Sequence, residues 1–241
     1  MIKKTVLLSF ISLVLLFAMV VTASAQTRRA GVSVGDWFKY GEFIGNWSSN
    51  DPTATPPPLI AEYNEIQWLE LNVTAIAGTN ITAPATIHYK NGTEINYGGW
   101  TDVDTGDGEN LTKWFISSSL YAGDAIYSSN SSSNWNLNET ILRNYPDGSR
   151  EINHISIVST DQFNYSTDYY WDRLTGGLVE NSYEDVNQTG GYTTTWSVHV
   201  GITATKLWAV PESFTWTSML LIIIVLTSAT IAIYKRRPVK R

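Results

Sequence analysis

Thr195-Trp196-Ser197-Val198-His199-Val200-Gly201-Ile202-Thr203-Ala204 is the stretch that decides the fold. Trp196, Val198, Val200, Ile202 and Ala204 alternate with Thr195, Ser197, His199, Gly201 and Thr203. Side chains alternate sides along a strand, so a period of two with one apolar side describes a half-buried strand of an antiparallel sheet. The same period recurs upstream. Phe163, Tyr165, Tyr169 and Trp171 alternate with Asn164, Ser166, Asp168 and Tyr170. Leu69, Leu71, Val73 and Ala75 alternate with Glu70, Asn72 and Thr74, while Ile66 and Trp68 take the opposite parity, which predicts a β-bulge near Trp68-Leu69. Ala85, Ile87 and Tyr89 oppose Thr86, His88 and Lys90.

Turn chemistry separates these runs. Asn91-Gly92 favours positive φ in a two-residue hairpin. Tyr145-Pro146-Asp147-Gly148-Ser149, Leu174-Thr175-Gly176-Gly177 and Gln188-Thr189-Gly190-Gly191 are further turn signals. Strands joined by short turns pair with their sequence neighbours. The expected class is therefore mainly β, an antiparallel meander of about nine strands forming a bent sheet, half-barrel or sandwich. Residues 48–58, with Asp51-Pro52 and Pro56-Pro57-Pro58, and residues 128–134, nearly all Ser and Asn, read as loops within one domain.

The two ends are different in kind. Met1-Ile2-Lys3-Lys4, an apolar stretch through Val21 and Ala23-Ser24-Ala25 form the basic, apolar and small-residue order of a secretory signal, expected to be cleaved after Ala25. Residues 214–234, from Phe214 to Tyr234, carry no charge. At ~1.5 Å per residue that helix would span about 31 Å, the depth of a bilayer core. Lys235-Arg236-Arg237 and Lys240-Arg241 follow, and such a cluster holds the tail in the cytoplasm. The expected organisation is a signal peptide (1–25), an extracellular β domain (26–213), a transmembrane helix (214–234) and a basic tail (235–241).

Between the ends, nine basic residues face all 22 acidic ones, a formal charge of −13. Nucleic acid and anionic lipid need a positive field, so neither is an expected partner. There is no cysteine, and a domain of this size can bury a core without disulfides.

Nine Asn-x-Ser/Thr acceptors, Asn46, Asn72, Asn80, Asn91, Asn110, Asn130, Asn138, Asn164 and Asn187, all lie in the segment placed outside. They are expected glycosylation sites. Asp102-Val103-Asp104-Thr105-Gly106-Asp107 has the D-x-D spacing of a Ca²⁺ loop, making Asp102, Asp104 and Asp107 candidate metal ligands. Gly106 then stands at the third ligand position and Lys113 where a closing Glu belongs, so a solvated turn without cofactor is the competing reading. His88, His154 and His199 are far apart in sequence, and no G-x-S-x-G elbow occurs. No catalytic residues are assigned. Ten Trp and 13 Tyr are the compositional excess. Most lie in apolar register, as core; Trp47, Trp100 and Trp135 lie beside loops, where they would stack on a ligand.

Gly31-Val32-Ser33-Val34-Gly35-Asp36-Trp37-Phe38-Lys39-Tyr40-Gly41 resembles the opening of a family of uncharacterised archaeal exported surface proteins. Leu120 to Tyr127, Arg143-Asn144-Tyr145 with Arg150-Glu151-Ile152-Asn153, and Tyr169 to Glu180 extend the resemblance. Val210-Pro211-Glu212-Ser213-Phe214 is similar to archaeal Pro-Glu-Phe membrane tails, with Ser213 inside the tripeptide. The resemblance implies a β-rich ectodomain in an archaeal envelope and no assigned activity. The expected function is a membrane-anchored cell-surface module, structural or ligand-binding, whose partners are the membrane and a surface glycan, peptide or lipid. The alternatives are an envelope carrier of an apolar ligand and a metal-dependent envelope hydrolase.

Overall fold

A computed structural model describes residues 27–128, 135–145, 148–160 and 164–208. The expected signal segment, the expected membrane segment, the basic tail and Asn130 lie outside the described residues. So do Pro146 and Asp147 of one expected turn and Phe163 of one expected strand. No described helix is long and apolar enough to cross a membrane.

The described chain is mainly antiparallel β. Its strands are β1 (Trp37–Tyr40), β2 (Ile44–Ser49), β3 (Ile66–Asn72), β4 (Ala75–Ala77), β5 (Asn80–Thr82), β6 (Ala85–Tyr89) and β7 (Glu94–Tyr97). There follow β8 (Trp100–Asp102), β9 (Gly108–Glu109), β10 (Glu139–Tyr145), β11 (Gly148–Ser159), β12 (Tyr165–Asp172), β13 (Leu178–Thr189) and β14 (Tyr192–Thr205). An α-helix, α1 (Pro58–Glu65), begins at the last residue of an expected loop. Pro58 opens it, because a proline ring presets φ and the missing N–H is unneeded in the first turn.

The meander is present in the second half only. β10 to β14 pair in chain order. β14 then pairs with β1, and the large sheet continues as β1-β3-β6-β7. β4, β5, β8 and β9 leave it to form a second, four-stranded sheet. The last described strand is thus zipped to the first. β1 and β2 follow one another along the same edge of β14, with Phe38 opposite Thr205 and Trp47 opposite Trp196.

Local chemistry accounts for the turns. Thr189 pairs with Tyr192, and Gly190 and Gly191 have φ of 61° and 85°, as a two-residue type I′ turn requires. At Asn91-Gly92 only Gly92 is positive, at 85°, and Tyr89 N–H donates to Thr93 O. The expected two-residue turn is instead a three-residue loop ending in a left-handed glycine. The bulge in β3 falls between Ile66 and Trp68, one residue earlier than expected. It turns Ile66 inward with Leu69 and leaves Trp68 on the outer face, stacked on His88 at 4.8 Å.

The inner face of the large sheet supplies Phe38, Tyr40, Leu69, Leu71, Val200 and Ile202 to one core. Ile81, Ala83 and Val103 from the small sheet and its flanks join the same core. The cover is residues 110–128 and 135–137, which contain isolated bridges but no strand. Leu111 and Phe115 enter the first core, and Ile116, Leu120, Ile126, Tyr127 and Leu137 pack on Ile155, Trp171 and Leu178. A buried irregular segment must satisfy its own polar backbone. Here Ile116 N–H donates to Gly176 O, Ser119 N–H to Arg173 O, and Leu178 N–H to Trp114 O, while Trp171 Nε1 donates to Lys113 O at 2.8 Å.

The stretches around Gly31, Tyr40, Leu120, Asn153 and Asp172 meet at one place. Gly31 faces the Leu174 and Thr175 carbonyls, so that a Cβ would lie 2.5 Å from Leu174 O. Phe38 lies on Gly177, Tyr40 Oη donates to Leu178 O at 2.7 Å, and Asn153 Nδ2 donates to Leu120 O at 3.0 Å. Asp172 Oδ1 caps the turn by accepting from Thr175 N–H at 2.9 Å.

Candidate functional site

The apolar face of β14 is buried at Val200 and Ile202, but Trp196 and Val198 are only half-buried. The reason is length. β14 has 14 residues, a reach of about 46 Å at ~3.3 Å per residue. The cover over the core protects only one end of that face.

On the uncovered part an aromatic row crosses four neighbouring strands. In register, Tyr165 of β12 opposes Asp185 of β13, Asp185 opposes Trp196 of β14, and Trp196 opposes Trp47 of β2. Directly opposed residues point to the same side. Tyr183, two residues from Asp185, shares that side and fills the diagonals. Its ring stacks on Tyr165 at 5.7 Å and lies 4.8 Å from Trp196. Tyr183 Oη donates to Asp185 Oδ2 at 3.2 Å. Burial first, then that carboxylate, push the Tyr183 hydroxyl above its ordinary range, so it remains a donor at neutral pH. Thr167 opposes Tyr183, and the hydroxyls of Ser49 and Thr194 are 2.8 Å apart at the outer end. Trp47 Nε1 is enclosed and has no hydrogen-bond partner among the described residues.

The opposite side of the large sheet carries a charged network that spans β10 to β14. His154 bridges two carboxylates, with Nδ1 2.9 Å from Glu139 and Nε2 2.9 Å from Asp168, and its ring stacks on Tyr170 at 4.3 Å. Ser182 Oγ is 3.0 Å from His199 Nδ1, and Glu42 lies 3.8 Å from Nε2. Arg143 pairs with Glu180 at 2.7 Å over the Tyr170 ring. Two histidines distant in sequence therefore share one face. Ser182 and His199 are direct cross-strand partners in a regular ladder, whose backbone N–H groups are spent on pairing rather than aimed at a reacting oxygen. The arrangement supports a cross-strand polar network. Among the described residues, no group of three or more His, Asp or Glu side chains is placed to hold a metal ion.

The residues singled out from sequence do not converge. Trp47 is in the aromatic row. Trp135 is half-buried in the cover, with Lys113 Nζ 4.5 Å above its ring. Trp100 is on the outer side of the small sheet, in a depression shared with Asn80 and Asn110. Asp102 Oδ1 accepts from the N–H groups of Asp104 and Thr105, and Asp107 Oδ2 accepts from the Thr105 hydroxyl. Those contacts are the work of a turn. Trp196, Tyr183 and Tyr165 escape sequence reasoning as site residues, because their alternation is that of a covered face. The signal that separates them is the strand length, which exceeds the cover.

Of the eight described acceptor asparagines, Asn46, Asn72, Asn91, Asn110, Asn138, Asn164 and Asn187 are exposed and Asn80 is half-buried. Asn64, Asn153 and Asn181, whose amides hold the fold together, all lie outside acceptor motifs. A separate apolar cleft of about 250 Å³ opens between Leu69, Leu71, Ile87, Tyr97, Leu111 and Trp114.

No protein-family model matches the chain, and no curated protein matches it.

Proposed function

We propose that this chain is an exported, membrane-anchored and glycosylated surface module that binds an extended glycan along the row Trp47-Trp196-Tyr183-Tyr165. The large sheet is read as a half-barrel whose uncovered end presents the row. The observation that carries the reading is the composition of that face: aromatic rings with a carboxylate, Asp185, in register between two of them. A pyranose ring packs its C–H face on an aromatic ring, while its hydroxyls need polar partners at the edges. Asp185, Ser49 and Thr194 supply such partners. Seven exposed acceptor asparagines support the surface location. No catalytic step is assigned to the domain.

The carrier reading has one observation in its favour, the apolar cleft. Its volume of about 250 Å³ falls below the roughly 300–1,000 Å³ of typical small-molecule sites, and the glycan reading is preferred.

The test uses the membrane-extracted full chain and polysaccharide released from the host envelope. Binding by the wild type and at least a tenfold weaker binding by Trp196→Ala are expected. Equal binding by the two, or none by the wild type, overturns the reading.

A further inference from the structure

We infer that Trp100 is a shelf for the chain's own sugar, and that the first residues of a glycan attached to Asn80 lie across its indole ring. The inference rests on the reading of the domain as an exported glycoprotein.

The geometry comes from the small sheet. Thr82 of β5 is directly opposite Trp100 of β8, and Asn80 is opposite Asp102. Residues two apart on a strand face the same way. Asn80, its own acceptor-motif Thr82, and Trp100 therefore share the outer side, while Ile81 and Thr101 point into the core with no exposed surface. Asn80 is the diagonal neighbour of Trp100, a separation of about 7–8 Å or less, within reach of a large side chain.

The surroundings are shaped for a sugar. Asn80, Thr82, Trp100, Glu109 and Asn110 rim a shallow depression of about 510 Å³, and Gly98 and Gly99 are in its wall. A Cβ on Gly99 would come 2.6 Å from the Leu111 side chain, so that stretch of wall stays bare. Glu109 offers an acceptor for sugar hydroxyls beside the ring. Asn80 is the one described acceptor that is half-buried, so a glycan there starts inside the depression rather than in open solvent.

Asn110 borders the same depression but is the poorer candidate. Its Nδ2 already donates to Gly98 O at 2.9 Å, and its backbone is held at φ 59°.

Covering Trp100 with sugar also explains why a large aromatic occupies the outer side of a three-residue strand. Part of the ring would otherwise face water, whereas a covalently attached sugar is always present and needs no affinity of its own.

The experiment is site mapping by mass spectrometry on the full chain purified from a glycosylating archaeal host. It is paired with hydroxyl-radical footprinting of Trp100 before and after chemical deglycosylation under native conditions. Glycan on Asn80 is expected, with Trp100 oxidation rising at least threefold once the sugar is removed. Glycans at other acceptors with Asn80 bare overturns this inference alone. A chain bare at every acceptor overturns the glycoprotein reading itself. Unchanged oxidation of Trp100 overturns the shelf even if Asn80 is occupied. As a second arm, Trp100→Ala should lower Tm by several degrees in the glycosylated protein and by clearly less in an Asn80→Gln background. Equal shifts in the two backgrounds reject the coupling.

Discussion

The Asn64 side chain clasps the backbone of Gly45. Its Oδ1 accepts from Gly45 N–H at 2.8 Å and its Nδ2 donates to Gly45 O at 2.9 Å. The carboxamide thus imitates one rung of a neighbouring strand on the free edge of β2. An unpaired strand edge is a template for association with other chains, and α1 caps it here. Gly45 permits the approach, since a Cβ there would lie 3.2 Å from Ile60 O. Asn64→Ala removes both bonds and leaves two backbone groups facing the helix. A loss of about 1–3 kcal/mol is expected, with Gly45 the amide whose hydrogen exchange accelerates most. A Gly45 exchange rate equal to wild type overturns the clasp.

Gly176 and Gly177 should tolerate no side chain. Gly176 has φ 72°, and a Cβ would fall 2.0 Å from Ile116 O; at Gly177 it would fall 2.4 Å from the Phe38 ring. Overpacking of this kind costs about 1–3 kcal/mol and left-handed backbone adds about 1–2. Gly190 is the control, with φ 61° and no atom within 4 Å of the place a Cβ would take. Chemical denaturation of the three Ala variants should rank Gly176 as most damaging and Gly190 as least. A Gly190→Ala variant as unstable as Gly176→Ala contradicts this.

What the sequence made legible was local. The alternation of residues 195–204 and the glycine pair at 190–191 each became the element they describe, because period and turn chemistry act within a few residues. The pairing of β14 with β1 was not legible, since Phe38 and Thr205 meet across the whole domain and neither carries a mark of the other. The cover, residues 110–128 and 135–137, has no period to read, as most of its backbone bonds are made one at a time to distant carbonyls. The aromatic row failed for a related reason. Trp196 and Val200 stand in the same alternation, and only the extent of the cover separates an open position from a core one. His154 and Asp168 became neighbours only through the β11–β12 register.

Two tryptophans on one side of the sheet should therefore behave oppositely. Trp171 has no exposed surface and sits in the second core cluster, with its Nε1 bonded to Lys113 O. Trp171→Ala should cost about 3–5 kcal/mol and yield little folded protein. Trp196 is half-buried at the uncovered end, so Trp196→Ala should cost clearly less and leave the far-ultraviolet circular dichroism unchanged. If the two variants lose equal stability, the end carrying Trp196 is as well covered as the core.

Alkaline pH should unfold the domain through its buried tyrosines. Tyr40 is fully buried with its hydroxyl donating to Leu178 O, and burial pushes that hydroxyl far above its ordinary range. Burial also raises Tyr63, Tyr127 and Tyr145, each to about 12. In the unfolded chain tyrosines ionise near pH ~10. Between that point and the raised folded values, the unfolded state has lost protons that the folded state still holds. Stability therefore falls as pH rises through this window, and below it these groups add no slope. Tm should be flat in this respect up to about pH 10 and drop steeply by about pH 12. Tyr40→Phe should soften the drop, because it removes the most strongly raised hydroxyl, while lowering Tm at neutral pH by leaving Leu178 O without its donor. An unchanged Tm between about pH 8 and about pH 12, read by circular dichroism, would show that these hydroxyls ionise alike in both states.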